Sequence, residues 1–101
     1  SDPLPAGDYT FTRGSDFPGV PEGAKGVFVS AQARWSAASS SNTLYIRPGV
    51  APRTPIYLAA NLAGAIQAGA SLIPLQGDTI RVTTAGATAN HTQINIWGYV
   101  L

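Results

Sequence analysis

The sequence predicts an all-β chain: an antiparallel β-sandwich, jelly-roll-like, of seven or eight short strands. Three observations carry that expectation. Apolar and polar residues alternate with a period of two in several segments, Gly, Pro and Ser clusters cut the chain between them, and no segment holds an uninterrupted helical stripe.

Residues 1–8, "SDPLPAGD", have two prolines, a glycine and no periodicity, and read as a linker or lead-in arm to a single domain over 9–101. The first strand is expected at Tyr9, Phe11 and Arg13, which alternate with threonines. "GSDFPGVPEGAKG" holds four glycines and two prolines and supports neither helix nor central strand, so it reads as a loop pinned by Phe17. In "GVFVSAQARWS", Val27, Val29, Ala31, Ala33 and Trp35 share one face, and Phe28, Ser30, Gln32 and Arg34 the other. After the turn "AASSSN", the strand "TLYIR" sets Leu44 and Ile46 against Thr43, Tyr45 and Arg47, and the three prolines of "PGVAPRTP" predict a loop or irregular edge.

The stretch 61–73 is open to two readings. Leu62, Ile66 and Ile73 could form a helical stripe, but Gly64 and Gly69 would each cost a helix about 1 kcal/mol, which favours two short strands across 56–75. "GDTIRVTTAG" follows as a strand with Ile80 and Val82 inward and Thr79, Arg81 and Thr83 outward. In the closing "NHTQINIWGYVL", alternation assigns Ile94, Ile96 and Val100 to the core and Gln93, Asn95, Trp97, Tyr99 and Leu101 to the opposite side.

The chain has 101 residues, no Cys and no Met, which excludes disulfides, thiol chemistry and Cys-based zinc sites. The absence of Met, even at position 1, predicts a fragment or processed product of something longer. Six basic and five acidic residues give a net charge of +1, which provides no field to gather nucleic acid. No apolar run approaches the ~20 residues of a membrane-spanning helix, so membrane insertion is not expected. Charged residues make up 11% of the chain against roughly 25% in a typical soluble domain. Such a surface suits packing against further copies of the chain.

Catalytic signals are weak. His91 is the one histidine, so no multi-histidine metal site can form within a chain, although a three-fold assembly could gather three copies on an axis. A triad of a serine, His91 and Asp78 or Asp16 lacks a nucleophile elbow, and four of the five acids sit in the first quarter, away from any paired-carboxylate arrangement. "NHT" at 90–92 fits the N-glycosylation pattern. No enzymatic activity, metal or cofactor is expected.

The outward sets give a different signal. Phe28, Gln32, Arg34, Tyr45, Arg47, Arg81, Gln93, Asn95, Trp97 and Tyr99 bring together the aromatic, arginine and amide side chains that interfaces concentrate. They are the expected interface or ligand face, with Arg34, Arg47, Arg81 and Trp97 as the contact of a homotrimer. Sugar binding needs only an exposed aromatic plane among amides and hydroxyls, for which Trp35, Tyr57 and Trp97 are candidates.

The terminal half, with its strand "GDTIRV", its Gly/Ala/Thr turn and its closing "WGYVL", resembles the β-rich C-terminal domains of tail-fibre and virion appendage proteins of tailed bacteriophages. That resemblance implies a homotrimeric, extracellular virion domain that contacts the host surface, with a host glycan as a partner and no cofactor. "TLYIRPGVAPRTPIY" is similar to a segment of the bacterial prepeptidase C-terminal domains, matching at Leu44, Tyr45, Ile46, Arg47, Gly49, Pro52 and Tyr57. It departs from that pattern at Thr43 and Leu58, where acids are expected. This second resemblance implies a β-sandwich accessory domain, and the alternative function for the chain is a carbohydrate-binding accessory module of a secreted bacterial protein.

Overall fold

The computed structural model describes residues 3–49, 56–75 and 77–101. Seven strands are present among them: β1 (Gly7–Thr12), β2 (Gly26–Arg34), β3 (Ser39–Pro48), β4 (Ile56–Ala60), β5 (Ile66–Pro74), β6 (Thr79–Ala85) and β7 (His91–Val100). They form a four-stranded sheet of order β1-β6-β3-β4 and a three-stranded sheet of order β5-β2-β7, with every pair antiparallel. The chain is an antiparallel β-sandwich, as its alternating pattern predicts. Pairing is nested about the β3–β4 hairpin, with β2 against β5 and β1 against β6 around it, which is the wrapped order of a jelly roll. β7 is added beyond β2.

The inward faces supply the core. Val27, Val29, Ala31 and Ala33 of β2, followed by Trp35, meet Leu44 and Ile46 of β3, Ile56 and Leu58 of β4, and Ile80 and Val82 of β6, all buried. The two sheets come closest between β4 and β5, because β5 carries Gly69 there: a Cβ at that position would lie 3.3 Å from Leu58 Cδ2 and 3.4 Å from Ile56 Cγ2. The 61–73 stretch is therefore turn and strand, with β4 and β5 joined through residues 61–65. On the far side the core is closed by the 13–25 loop, which buries Phe17, Val20 and Ala24. Phe17 pins that loop as the sequence suggests. The loop predicted over 48–55 falls mostly outside the described residues, apart from Pro48, which ends β3, and Gly49.

The segment before β1 is tied to the sandwich by its backbone. Leu4 and Ala89 exchange both amide hydrogen bonds, each 3.0 Å, and the Pro5 carbonyl accepts from Thr84 Oγ1 at 2.8 Å and from the Tyr9 hydroxyl at 2.7 Å. β1 itself begins at Gly7, two residues ahead of the predicted start.

One end of the sandwich is organised by buried Asn42. Its Nδ2 donates to the Ala37 carbonyl at 3.1 Å and its Oδ1 accepts from the Ala87 amide at 2.9 Å, which joins the β2–β3 turn to the β6–β7 loop. Gly86 passes over this group with φ +83°, and a Cβ there would fall 2.3 Å from Asn42 Oδ1 and 2.6 Å from the Ser41 carbonyl oxygen. Backbone conformation and space both require glycine. Gly86→Ala is expected to destabilise the fold by more than about 1 kcal/mol, read as an earlier midpoint in denaturant unfolding; an unchanged midpoint contradicts this account.

Candidate functional site

The predicted interface residues occupy two opposite surfaces. In an antiparallel ladder, residues directly opposite point to the same side, so the registers sort them. On the outer face of the three-stranded sheet, Arg34 lies between Ile66 and His91, Gln32 between Ala68 and Gln93, Ser30 between Ala70 and Asn95, and Phe28 between Leu72 and Gly98. On the outer face of the four-stranded sheet, one row runs Asp8, Thr83, Tyr45, Tyr57 and the next Thr10, Arg81, Arg47. Arg34 and Trp97 thus lie on one side of the sandwich and Arg47 and Arg81 on the other, so the four residues do not share the single face expected of them.

Strand β7 departs from simple alternation. Val29 pairs with Ile96, but Phe28 pairs with Gly98, so Trp97 is an extra, bulged residue. Beyond it the faces exchange. Tyr99 pairs with buried Val27 and stands on the core side, and Val100, expected in the core, faces outward. Tyr99 accordingly leaves the predicted outer set. With Phe17, Gly19, Val20, Ile96, Trp97 and Gly98 it lines an apolar groove of about 320 Å³ beside the 13–25 loop. Across Phe17 a smaller cavity of about 140 Å³ is lined by Phe11, Asp16, Ile80, Ile94 and Ile96. Trp97 is 72% exposed, and its indole Nε1 donates to Ser30 Oγ at 2.5 Å, which sets the ring against the outer face. Trp35, a candidate sugar platform from sequence, is buried in the core.

The outer face of the three-stranded sheet is apolar where a solvated sheet would be polar. β5 turns Ile66, Ala68, Ala70 and Leu72 outward and Gln67, Gly69 and Ser71 inward. Ile66, Phe28, Leu72, Trp97 and Val100 account for five of the nine large exposed apolar side chains among the described residues. Along the ladder rows, Arg34 and His91 are the titratable side chains of this face. Sequence reasoning missed Ile66 and Leu72 as face residues, because the register of 61–73 was open. The period-two run Ile66, Ala68, Ala70, Leu72 was the available signal.

The opposite face is polar and ordered. Asp8 accepts a hydrogen bond from Thr83 Oγ1 at 2.9 Å and is ion-paired with the Arg81 guanidinium. Arg47 has no ion-pair partner among the described residues; its guanidinium carbon lies 5.9 Å from the Tyr45 ring centroid, and its Nε is buried with no hydrogen-bond partner. Tyr45 stacks on Tyr57 with ring centroids 6.0 Å apart and planes 11° from parallel. Asp8, placed by sequence in the arm, is the residue that sequence reasoning missed here.

The acids of the triad candidates are engaged elsewhere. Asp78 is ion-paired with Arg13 at 3.3 Å, the Asp16 carboxylate accepts from the Thr12 amide at 2.7 Å, and His91 lies on the apolar face beside Arg34. Among the described residues no three His, Asp or Glu side chains cluster as metal ligands. Comparison with protein families, curated proteins and solved structures finds no match to the chain.

The Thr83 hydrogen bond, and after it the Arg81 guanidinium, hold the Asp8 carboxyl below the ordinary value of 3.8. A depressed folded-state value contributes stability above pH 3.8, and that contribution is lost as pH falls through the depressed value. Asp8→Asn is therefore expected to lower the melting temperature at neutral pH and to converge with the parent protein in acid. Melts across that range check it, and a difference independent of pH would contradict it.

Proposed function

We propose that this chain is a non-catalytic virion structural domain, from a tail fibre or appendage, that oligomerises and contacts the host surface. One observation carries the assembly half: β5 faces its apolar side outward, next to Phe28 of β2 and Trp97 of β7. A contiguous apolar sheet face is what a subunit presents when copies of itself cover it. The low charge of the chain supports the same reading, because a covered face needs few charges for solubility. The contact set on this reading is Phe28, Gln32, Arg34, Gln93, Asn95 and Trp97, joined by Ile66 and Leu72. A homotrimer is the favoured form, and the virion setting rests on the resemblance of the terminal strands.

A second reading is a carbohydrate-binding accessory module of a secreted bacterial protein. It is favoured by the Tyr57 ring, 59% exposed on the opposite sheet. The two readings differ in solution mass. Velocity sedimentation is expected to show an oligomer that the double variant Phe28→Lys, Leu72→Lys converts to a folded monomer, since charges buried without partners oppose association. A parent protein that is monomeric at micromolar concentration overturns the assembly reading and leaves the accessory-module reading.

A further inference from the structure

We infer that the outer face of the four-stranded sheet carries a binding site for an acidic oligosaccharide, with Arg47 taking the carboxylate and Tyr57 the sugar ring. The inference rests on the sugar-binding reading of Tyr57 and does not depend on the assembly reading, because this face lies on the opposite side of the sandwich from the apolar one.

The charge on the face is unbalanced in one place. Arg47 and Arg81 stand directly opposite each other on β3 and β6, and the face has one carboxylate, Asp8, among its described rows. That carboxylate is committed: Arg81 pairs with it and Thr83 Oγ1 donates to it. Among the described residues Arg47 has the Tyr45 ring, which attracts a cation but accepts no conventional hydrogen bond, and a longer-range attraction to Asp8. A guanidinium offers five donors in a planar fork that fits an oxyanion, and the Arg47 Nε donor is buried without an acceptor. An anionic group from outside the chain would meet the Nη end of the guanidinium, which is not among the buried, unpartnered donors, and would balance the charge.

The aromatic pair identifies what carries the anion. Tyr57, on edge strand β4, stacks against Tyr45 and is 59% exposed. A bare phosphate would leave this ring unused, whereas the C–H face of a pyranose packs on such a plane. The successive separations, Arg47 to Tyr45 at 5.9 Å and Tyr45 to Tyr57 at 6.0 Å, put guanidinium and outer ring within about 12 Å. That span suits a carboxylated sugar joined to a neighbouring pyranose. Pinned by Asp8, Arg81 stays out of the contact, its charge balanced by that carboxylate.

The test is titration calorimetry with sialyllactose, oligogalacturonate, lactose and inorganic phosphate. At least one acidic saccharide is expected to bind at millimolar concentration. Lactose and phosphate are each expected to be weaker by about tenfold or more, the scale of one charge-assisted contact. Arg47→Ala should abolish the preference for the acidic sugar. Arg47→Lys, which keeps charge and loses the fork, should retain part of it, and Tyr57→Ala should weaken the sugars while leaving phosphate unchanged. Asp8→Asn should tighten acidic-sugar binding by freeing Arg81. Melting curves identify variants that remain folded. The monomeric Phe28→Lys, Leu72→Lys protein should bind as the parent does, so failure of the assembly reading is read separately. Equal binding of lactose and sialyllactose, phosphate binding as tight as either acidic sugar, binding unaffected in folded Arg47→Ala, or no binding of either acidic sugar overturns the site.

Discussion

All of the three-stranded sheet hangs on β2. From Gly26 to Arg34 it is paired along both edges, to β5 on one side and β7 on the other. Lys25 continues both ladders: its amide donates to the Val100 carbonyl at 2.6 Å and its carbonyl accepts from the Leu75 amide at 2.9 Å. In a sheet of three strands the middle one supplies every inter-strand bond, so its side-chain alternation sets the orientation of both neighbours. Val27, Val29, Ala31 and Ala33 face the core, and that requirement turns Phe28, Ser30, Gln32 and Arg34 outward together with whatever the neighbours hold opposite them. β5 then has to present Ile66 and Leu72 to the outside although both are apolar. The exposed apolar face follows from satisfying the core of β2.

The same logic separates what could be read in the amino-acid order from what could not. Alternation within β2, within β6 and over residues 44–47 of β3 is strict, and there the inward and outward sets agree with the structure; at the start of β3, where the expected turn ends, the register shifts and Asn42 and Thr43 are both buried. Alternation does not say which sheet a strand joins. For that reason the sequence pattern groups Arg34 with Arg47 and Arg81, although β2 and the β3–β6 pair belong to different sheets. β5 was hard to read because Ala and Gly fill both of its faces and leave little contrast in polarity.

Two further departures have local physical causes. The bulge at Trp97 inserts one residue in β7 opposite β2, which period-two reasoning cannot register, and it exchanged the expected places of Tyr99 and Val100. The arm before β1 lacks any side-chain pattern, yet it is held through Leu4 and Pro5 backbone groups that composition does not reveal. Patterns report side-chain burial. They are silent on hydrogen bonds that the main chain makes by itself.

The bulge also bears on how such a domain meets its neighbours. β7 is an edge strand of ten residues, and a straight edge of that length is a template on which a foreign strand can add. At Trp97 the spacing of its outward-facing amides and carbonyls is interrupted, because a bulge bends and twists the strand that carries it. An incoming strand would lose register partway along. The consequence is local: along β7, addition of a foreign strand is interrupted partway, whereas β5, the other edge of this sheet, pairs with β2 without a register shift.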